Sequence, residues 1–477
     1  MIETNNFSHY IINSKLDKLA VIDDRGSITY KELASKVRHF AGHLKFYDIC
    51  PGDRVIMAMP DSTEWIIGFL GCMYIGAVPV MASPIFKETN LLDIINQTKA
   101  KAILSDLPNG FNIRKFTSVD VLNNDFDEIS EAYQFHADEI AVMQSSSGTT
   151  GKHKLAAHRH QGYLNYNAMV TQKIFFDKES VLLATAKLFT SAGLNLNCTL
   201  ALGSHATCLV TNKKLTQELL YQFITNNNVT HMSSSPGVLS MMSSCNASLS
   251  LPSIKYIFCA SQALPINVFH KFKEVYGIEI VTAWGSTETM SWALMQSLDE
   301  PKGKISQAIG KPLDSVVCEV RKELGELCDI NEIGELYINH PCAASYYWND
   351  YASTKKTFQG PWVATGDLVY VNKNNDFIYV ARKDDMVKIN GIAVSILEVE
   401  QTVLQHPLVE DCVVNVSKNK SGLNMLETEI VPKEKIDVSE IRKFLAQKLE
   451  AVKIPKHIKF VSEISKTASG KNLRKTI

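Results

Sequence analysis

Residues 144–154 read QSSSGTTGKHK and follow the β-type run EIAVM at residues 139–143. The glycines of this stretch let backbone N–H groups approach a ligand closely, its hydroxyls add hydrogen-bond donors, and its lysines add positive charge. That combination suits a polyphosphate. The stretch lacks the G-x-x-x-x-G-K-[ST] spacing of a Walker loop, and an ordinary polar turn is the competing interpretation.

On both sides of this stretch the pattern predicts an α/β fold. Residues 28–47 place apolar side chains at helical spacing, which predicts an amphipathic surface helix whose buried face carries Leu33, Val37, Phe40, Ala41 and Leu44. Strand and helix patterns alternate over residues 54–105 and 181–283, which predicts mainly parallel sheets covered by helices on both faces. Residues 106–138 are polar with weak periodicity, so we expect a variable surface connection there.

The texture of the sequence changes beyond residue 310. Short β-type runs separated by turn residues predict a β-rich subdomain over residues 310–381. The last section combines a strand at residues 412–416 with an amphipathic helix at 438–449, which predicts a small separate α+β unit. We therefore expect a large N-terminal domain over residues 1–381 and a small C-terminal domain over 385–477.

Composition excludes several classes of protein. The chain has 477 residues, with 49 Lys and Arg against 50 Asp and Glu, so nothing favours binding to nucleic acid. Glycines and Pro79 interrupt the apolar stretch 65–81, which fits a buried helix plus a strand better than a membrane span. The ten cysteines are scattered without a metal-ligand spacing, and the N-terminus lacks a signal pattern, so we expect a cytoplasmic protein that does not bind membranes.

Four further segments carry chemically useful side chains. They are WGSTE at residues 284–288, VATGD at 363–367, ARKDDMVKING at 381–391 and SKTASGKNLR at 465–474. Taken singly, each has an ordinary interpretation as a solvated loop, a turn or a basic tail. Their order along the chain, together with the stretch at 144–154, favours a common function.

These five segments resemble, in order, the motifs of the adenylate-forming superfamily, which includes acyl- and aryl-CoA synthetases, adenylation domains of peptide synthetases and luciferase. The phosphate loop of that family reads roughly [ST]-S-G-T-T-G-x-P-K-G, whereas this chain has His153 and Leu155 in place of Pro and the final Gly. Ala381 and Ser465 are two further departures from the pattern. The resemblance covers essentially the whole chain and is greatest to benzoate-type aryl-CoA ligases.

The resemblance implies that a carboxylate attacks the α-phosphorus of ATP to give an acyl-adenylate and pyrophosphate. A phosphopantetheine thiol then attacks the acyl carbon and expels AMP. The family rotates its small domain between the two steps, which implies a hinge at residues 382–384, with Asp384 at the hinge position, and a mobile domain over 385–477. Lys388 and Gly391 would then line the tunnel for the thiol.

The resemblance also assigns the ATP site. Phosphates would be held by Ser146, Ser147, Gly148, Thr149, Thr150, Gly151 and Lys154, and the α-phosphate by Thr287. Glu288 would help to hold Mg²⁺, an oxygen-seeking cation that bridges phosphates and takes few protein ligands. Trp284 and Gln262 would lie on the two sides of the adenine, Asp367 would accept hydrogen bonds from the ribose hydroxyls with support from Arg382, and Lys471 would bridge the acid and the α-phosphate. Catalysis would be mostly positioning and electrostatic stabilisation.

The acid would enter a pocket whose candidates are mostly apolar or small, namely Phe189, Ala192, Gly193, Met290, Ser291 and Trp292. Core packing is an equally good interpretation for Met290 and Trp292. Residues 188–193 contain no acidic side chain to pair with an ammonium, which disfavours an ordinary α-amino acid. Because Ala192 and Ser291 replace larger side chains of the benzoate ligases, we expect an aryl or medium-sized apolar acid.

The thiol acceptor is left open by the sequence. CoA is the first expectation, and an acyl or peptidyl carrier protein is the alternative because residues 417–433 are short for a CoA ligase and no clear basic cluster suits the 3′-phosphate of CoA. A catalytically degenerate ATP-binding regulator is a third interpretation. Retention of Glu288, Asp367, Arg382 and Lys471 argues against it.

Overall fold

The computed structural model describes residues 6–14, 16–108, 110–136, 138–146, 154–244, 250–298, 308–389, 392–419, 423–465 and 474. These residues form fourteen α-helices: α1 (Phe7–Ile12), α2 (Tyr30–Phe46), α3 (Thr63–Tyr74), α4 (Glu88–Thr98), α5 (Ser118–Leu122), α6 (His160–Lys173), α7 (Ser191–Gly193), α8 (Thr199–Gly203), α9 (Gln217–Asn226), α10 (Pro236–Met242), α11 (Ile266–Tyr276), α12 (Tyr351–Thr357), α13 (Ile396–Leu404) and α14 (Val438–Ala446). A π-helical turn, Leu194–Cys198, joins α7 to α8, and two 3-10 turns cover Lys383–Asp385 and Ala451–Lys453.

The strands of the same described residues fall into two groups along the chain. The first group, up to the stretch that connects to residue 308, is β1 (Leu19–Asp23), β2 (Gly26–Thr29), β3 (Arg54–Met57), β4 (Val78–Met81), β5 (Ala102–Leu104), β6 (Arg114–Phe116), β7 (Ile140–Ser146), β8 (Lys154–Arg159), β9 (Val181–Ala184), β10 (Thr207–Leu209), β11 (His231–Ser234), β12 (Tyr256–Cys259), β13 (Ile280–Ser286) and β14 (Ser291–Met295). The second group is β15 (Ala308–Pro312), β16 (Val317–Arg321), β17 (Gly334–Asn339), β18 (Tyr346–Tyr347), β19 (Phe358–Gln359), β20 (Trp362–Val371), β21 (Phe377–Arg382), β22 (Met386–Ile389), β23 (Ile392–Ser395), β24 (Val409–Lys418), β25 (Asn424–Pro432) and β26 (His457–Phe460).

The largest sheet has 14 strands in the order β16-β17-β20-β21-β15-β14-β13-β12-β11-β9-β10-β1-β2, with β19 paired to β20. Strands β13, β12, β11, β9, β10 and β1 run parallel to their neighbours in this order. From β13 to β16 every pairing is antiparallel. The predicted β-rich subdomain therefore continues the parallel sheet through shared hydrogen bonds instead of only packing beside it.

A second sheet of seven strands, in the order β18-β8-β7-β4-β3-β5-β6, carries Ser146 and Lys154 at the two ends of the candidate phosphate loop. Its strands are parallel from β7 to β6, and β8 and β18 are added antiparallel. The expected parallel sheets covered by helices are confirmed. The connection expected over 106–138 contains β6 and α5, because Phe116 and Val121 are buried and a Thr117–Asp120 capping box starts α5.

The main hydrophobic core lies between these two sheets and the helices that cover them. The predicted apolar face of α2, from Leu33 to Leu44, is buried, and a capping box between Thr29 and Glu32 starts that helix. Helix α3 is buried along its whole length, which confirms that the apolar stretch around residue 70 is a buried helix. In the described part of the chain, no helix combines the length and apolarity that crossing a bilayer requires.

Beyond the 3-10 turn Lys383–Asp385, the chain forms a two-stranded sheet of β22 and β23 and a three-stranded sheet of β24, β25 and β26. Helices α13 and α14 pack against these strands and form two small hydrophobic clusters of their own, centred on Val403 and Val399. The predicted α+β character of the C-terminal part is confirmed. Its mobility and the hinge at 382–384 stay predictions.

Candidate active site

Strands β7 and β8 form an antiparallel hairpin around the candidate phosphate loop. Ser146 on β7 pairs with Lys154 on β8, so the chain between them is the connection of the hairpin. The predicted ligands Ser147, Gly148, Thr149, Thr150 and Gly151 lie in that connection, outside the described residues, as does His153. Leu155, which replaces the usual glycine, is fully buried in the core of the seven-stranded sheet.

Glu288 and Lys154 meet at a tyrosine that the sequence did not single out. The hydroxyl of Tyr347 donates a hydrogen bond of 2.5 Å to Oε1 of Glu288. Lys154 Nζ lies 5.5 Å from the centre of the Tyr347 ring, within the range of a cation–π interaction. Because β18 pairs with β8, Tyr347 is fixed beside the phosphate-loop hairpin. Burial, reinforced by Glu288, raises the pKa of Tyr347 well above its usual range, so the tyrosine stays a neutral donor.

Asp367 and Arg382 face each other across β20 and β21. Oδ1 of Asp367 lies 3.1 Å from Nη1 of Arg382, and the two residues are register partners in the sheet. Trp284 Nε1 donates a hydrogen bond of 2.9 Å to Oδ2 of Asp367. Asp367 is almost fully buried, at 3% exposed, so the indole and the guanidinium fix a carboxylate that has little contact with water.

The turn that presents Asp367 lies within a strand. Gly366 has φ of +72°, a conformation that favours glycine, and its N–H donates a hydrogen bond of 3.2 Å to Oε1 of Glu335. The second oxygen of Glu335 binds Nζ of Lys383 at 2.9 Å. Thr365 holds the turn from the other side by donating a hydrogen bond of 2.8 Å to the Leu336 carbonyl. Residues 365–367 therefore form a local distortion inside strand β20, whereas the sequence alone suggests an ordinary turn between strands.

The two clusters share one electrostatic field. Burial disfavours the charged form of Arg382, but Asp367, Tyr379 and Glu288 together outweigh this effect and raise its pKa. Glu288 therefore lies near enough to Arg382 to favour its charged form. Direct contacts join Lys154 and Glu288 through Tyr347 in one cluster, and Trp284, Asp367 and Arg382 in another.

The donor set suits Mg²⁺ held jointly with a polyphosphate. Glu288 offers a partly exposed carboxylate, one oxygen of which accepts from Tyr347. Within the described ranges, no group of three or more His, Cys, Asp and Glu side chains is arranged to hold a metal on its own. Mg²⁺ commonly takes one or two carboxylates and completes its shell with phosphate oxygens and water, so Glu288 fits this kind of site.

The candidate acid-pocket residues divide into two sets. Phe189 and Ala192 are partly exposed, whereas Met290, Ser291 and Trp292 are buried, and Met290 and Trp292 belong to the main hydrophobic core. A Cβ at Gly193 would lie 2.1 Å from the Lys187 carbonyl oxygen, so this position admits only glycine. Packing alone thus accounts for the glycine.

A buried aspartate supports the segment that bears Phe189. Asp61 Oδ1 accepts a hydrogen bond of 3.1 Å from the Leu188 N–H, and Oδ2 lies 3.7 Å from Nζ of Lys187. Burial raises the pKa of Asp61 to about 6, and Lys187 opposes this shift. An acidic group therefore does touch the pocket segment, although it comes from a distant part of the chain and already has a cationic partner.

The remaining predicted residues lie apart from these contacts or outside the described residues. Thr287 is partly buried in the turn between β13 and β14, beside Glu288, and Gln262 is exposed on the loop after β12. Asp384 is exposed in the 3-10 turn, and Lys388 is exposed on β22. Lys471 and Gly391 lie outside the described residues.

Arg474, three residues after Lys471, is anchored within the C-terminal part. Its Nη2 lies 2.7 Å from Oε2 of Glu400 on α13, and its Nε lies 3.2 Å from Oε1. Its Nη1 lies 2.7 Å from Asp385, the residue that follows the predicted hinge residue. Glu400 also accepts a hydrogen bond of 2.9 Å from the Val414 N–H, so this buried carboxylate ties together the helix, the sheet and the end of the chain.

Sequence reasoning missed Tyr347, Glu335 and Glu400. Tyr347 contacts the predicted residue Glu288 across a separation of 59 residues, whereas Glu335 and Glu400 contact Gly366 and Arg474, which belong to the same motifs as Asp367 and Lys471. The segment SYYWN at residues 345–349 carries an aromatic run that is compatible with many functions. Glu335 lies in the run Gly-Glu-Leu at residues 334–336, which is a weak match to the resembling family.

Comparison with known proteins identifies relatives over the whole chain. The family described as AMP-binding enzyme matches residues 10–348, and its C-terminal domain matches residues 398–471. Benzoate–CoA ligase of Thauera aromatica is 27% identical over 485 residues, covering 95% of this chain and 91% of that protein. A segment of tyrocidine synthase 3 of Brevibacillus parabrevis is 27% identical and covers 96% of this chain but 7% of that protein. The crystal structure of a benzoate CoA ligase from Burkholderia xenovorans LB400 is 26% identical, with a TM-score of 0.88 and 98% of each chain covered.

Proposed function

The chain belongs to the AMP-binding enzyme family and is an AMP-forming acid–thiol ligase, and from this premise we propose that it activates an aryl or medium-sized apolar carboxylic acid for transfer to CoA. In the first step a carboxylate oxygen attacks the α-phosphorus of ATP and pyrophosphate leaves. In the second step the thiol attacks the acyl carbon, and AMP leaves with the oxygen that came from the acid.

The observation that carries this proposal is the buried carboxylate of Asp367 held by Trp284 and Arg382, together with Glu288 and Lys154, which both contact Tyr347. Negative charge builds on phosphate oxygens in the first step, and fixed cations and donors stabilise it without reorganising. Lys154 would act on the phosphates, and Asp367 would hold the ribose diol. Glu288 would help to hold Mg²⁺, which when bound would supply positive charge against the charge of the phosphates.

The surroundings of the pocket segment support an acid whose remainder is apolar and carries no ammonium group. Asp61 is the acidic group that contacts the residue before Phe189, and it already faces Lys187 at 3.7 Å. A substrate ammonium would have to compete with that lysine for a buried carboxylate. Because an unpaired buried charge is costly, the site favours acids without an α-amino group. The similarity to ligases named for benzoate agrees with this substrate class.

A carrier protein is the second candidate for the thiol. The similarity to tyrocidine synthase 3, in which a segment of the size of this chain recurs within a much longer protein, favours it. The chemistry on the enzyme is the same for both acceptors, because each presents a phosphopantetheine thiol.

Mass spectrometry of products tests the substrate and the acceptor together. The purified enzyme receives ATP, Mg²⁺ and a mixture of aryl, aliphatic and amino acids, with CoA and a phosphopantetheinylated carrier protein offered side by side. We expect an aryl or medium-sized apolar acyl-CoA. Exclusive loading of the carrier protein would show that it, and not CoA, is the thiol acceptor. A strong preference for a zwitterionic amino acid would refute the proposed substrate class.

A further inference from the structure

A buried pair of amide side chains links the phosphate-loop hairpin to the acid-pocket segment. Gln144 on β7 and Asn195 in the π-helical turn are both fully buried. Each amide donates to the other, with Nδ2 of Asn195 at 3.2 Å from Oε1 of Gln144 and Nε2 of Gln144 at 3.3 Å from Oδ1 of Asn195. Nε2 of Gln144 also donates a hydrogen bond of 2.7 Å to the hydroxyl of Tyr163. The pair is therefore held from both sides.

Asn195 also reaches the loop that carries Thr287 and Glu288. Its Nδ2 donates to the carbonyl oxygen of Met290, and the hydroxyl of Ser191 lies 3.2 Å from the same nitrogen. Met290 has φ of +66°, which is uncommon for a residue with a side chain and persists only when its surroundings impose it. The Met290 N–H donates a hydrogen bond of 3.3 Å to the Thr287 carbonyl, which closes the turn around Glu288.

The two asparagines of the π-helical turn, Asn195 and Asn197, bond to different parts of the protein. Asn197, two residues on and equally buried, donates from Nδ2 to the Leu209 carbonyl on β10 at 3.0 Å. Asn195 bonds instead to β7 and to the loop between β13 and β14. Such π-helical turns are rare and frequently occur at functional sites.

We propose that Asn195 is a positioning residue that fixes strand β7, which leads into the phosphate loop, the turn bearing Thr287 and Glu288, and the acid-pocket segment relative to one another. This inference rests on the proposed function for the identity of those three parts. Gln144 lies two residues before Ser146, Ser191 lies beside Ala192, and Met290 is itself a pocket candidate. One side chain therefore bonds to Gln144 beside the phosphate loop, to Ser191 beside the pocket candidate Ala192, and to Met290 in the turn that bears Glu288.

The variant Asn195→Asp tests this role with little change in shape. It replaces the Nδ2 donor with an oxygen that faces two acceptors, the Met290 carbonyl and Oε1 of Gln144. A buried acceptor left without a donor is costly, so the turn at Met290 and the hairpin at Gln144 should shift. We expect kcat/KM for adenylate formation to fall roughly tenfold or more, with higher KM values for both ATP and acid.

The matched control is Asn197→Asp, which changes the same residue type in the same buried turn. It should lower the melting temperature by a similar amount but leave both KM values near those of the wild type. A second readout is the ratio of kcat/KM for a small and a large aryl acid. That ratio should change for Asn195→Asp and stay constant for Asn197→Asp.

Equal kinetic losses in the two variants, in proportion to their loss of stability, would overturn the proposal. If Asn195→Asp does not fold, Gln144→Glu breaks the same pair from the β7 side and should give the same pattern of KM values.

Calorimetric titration with ATP and Mg²⁺ gives a readout that needs no acid, and Asn195→Asp should bind ATP more weakly than Asn197→Asp does. A wild-type enzyme that binds ATP but releases no pyrophosphate with any acid overturns the proposed function, and the calorimetric comparison then decides the role of Asn195. Wild-type protein that binds no ATP would overturn both.

Discussion

Trp284 occupies a position where the resembling family usually has tyrosine, and its indole N–H holds Asp367. In Trp284→Phe the ring keeps most of its apolar area but loses the donor, so a buried carboxylate loses the hydrogen bond from the indole. A hydrogen bond to a charged group contributes about 1.5–3 kcal/mol, which predicts a rise in the KM for ATP of roughly tenfold or more. Steady-state kinetics with ATP as the varied substrate measures this.

Trp65→Phe is the control for that prediction. Trp65 is fully buried and stacks on Phe69 at 5.5 Å within α3. Its loss should affect the melting temperature and leave the KM for ATP unchanged. An unchanged KM for ATP in Trp284→Phe would show that the indole bond does not support nucleotide binding.

The residues that could be predicted from sequence are those that match short motifs of strong chemical character. Asp367 and Arg382 were paired by the resemblance, and the sheet places them as direct register partners. The bond from Trp284 to Asp367 spans 83 residues and the amide pair of Gln144 and Asn195 spans 51. Such contacts depend on tertiary packing, and the pattern of residues along the chain does not indicate which distant side chains will meet.

At the scale of elements, α13 anchors the end of the chain through Glu400. In Glu400→Gln the carboxylate charge that Arg474 contacts is removed while the shape is kept. Arg474 then retains Asp385 alone, and the segment that carries Lys471 should be held less firmly. We predict that adenylate formation slows several-fold more than thiolation of a supplied acyl-adenylate does, because the resemblance assigns Lys471 to the first step only.

Glu398→Gln on the same helix provides the matched comparison. Glu398 binds Nζ of Lys453 at 2.9 Å and does not contact Arg474 in the described part of the chain. It should leave the ratio of the two half-reactions at the wild-type value. Rapid-quench measurement of each half-reaction separates the cases, and equal slowing of both steps in Glu400→Gln would contradict the assigned role.

The elements that could be predicted are those with a clear period. Helix α2 follows from its apolar spacing, and α11 covers Ile266–Tyr276 as its pattern predicts. Strand β6 reads RKF and has a single buried residue, so its charged side chains concealed it. The π-helical turn could not be predicted either, because residues 192–202 fit an ordinary helix and the local change in winding follows from packing.

At the scale of the whole molecule, buried histidines make stability depend on pH. Burial lowers the pKa of His158 to about 3 and of His340 to about 4, from the ordinary value of 6.5. The unfolded chain therefore takes up protons near pH 5 that the folded protein does not bind. Each histidine contributes stability above pH 6.5 that is lost as the pH falls, by roughly 2 kcal/mol at pH 5.

Denaturant titrations at pH 7, 6 and 5 measure this loss. His340→Gln should reduce the pH dependence by about half of the combined effect of these two residues, whereas His270→Gln, an exposed position on α11, should leave it unchanged. A free energy of unfolding that stays constant from pH 7 to pH 5 would show that these histidines are not buried in the neutral form in solution.

The central claim is that the enzyme joins a carboxylate oxygen to the α-phosphorus of ATP. An acid labelled with ¹⁸O in both carboxyl oxygens, supplied with ATP, Mg²⁺ and the thiol, tests it directly by mass spectrometry of the nucleotide. The proposed reaction predicts one ¹⁸O in each AMP released and one retained in the thioester. Unlabelled AMP, or label in inorganic phosphate with ADP as the nucleotide product, would contradict it.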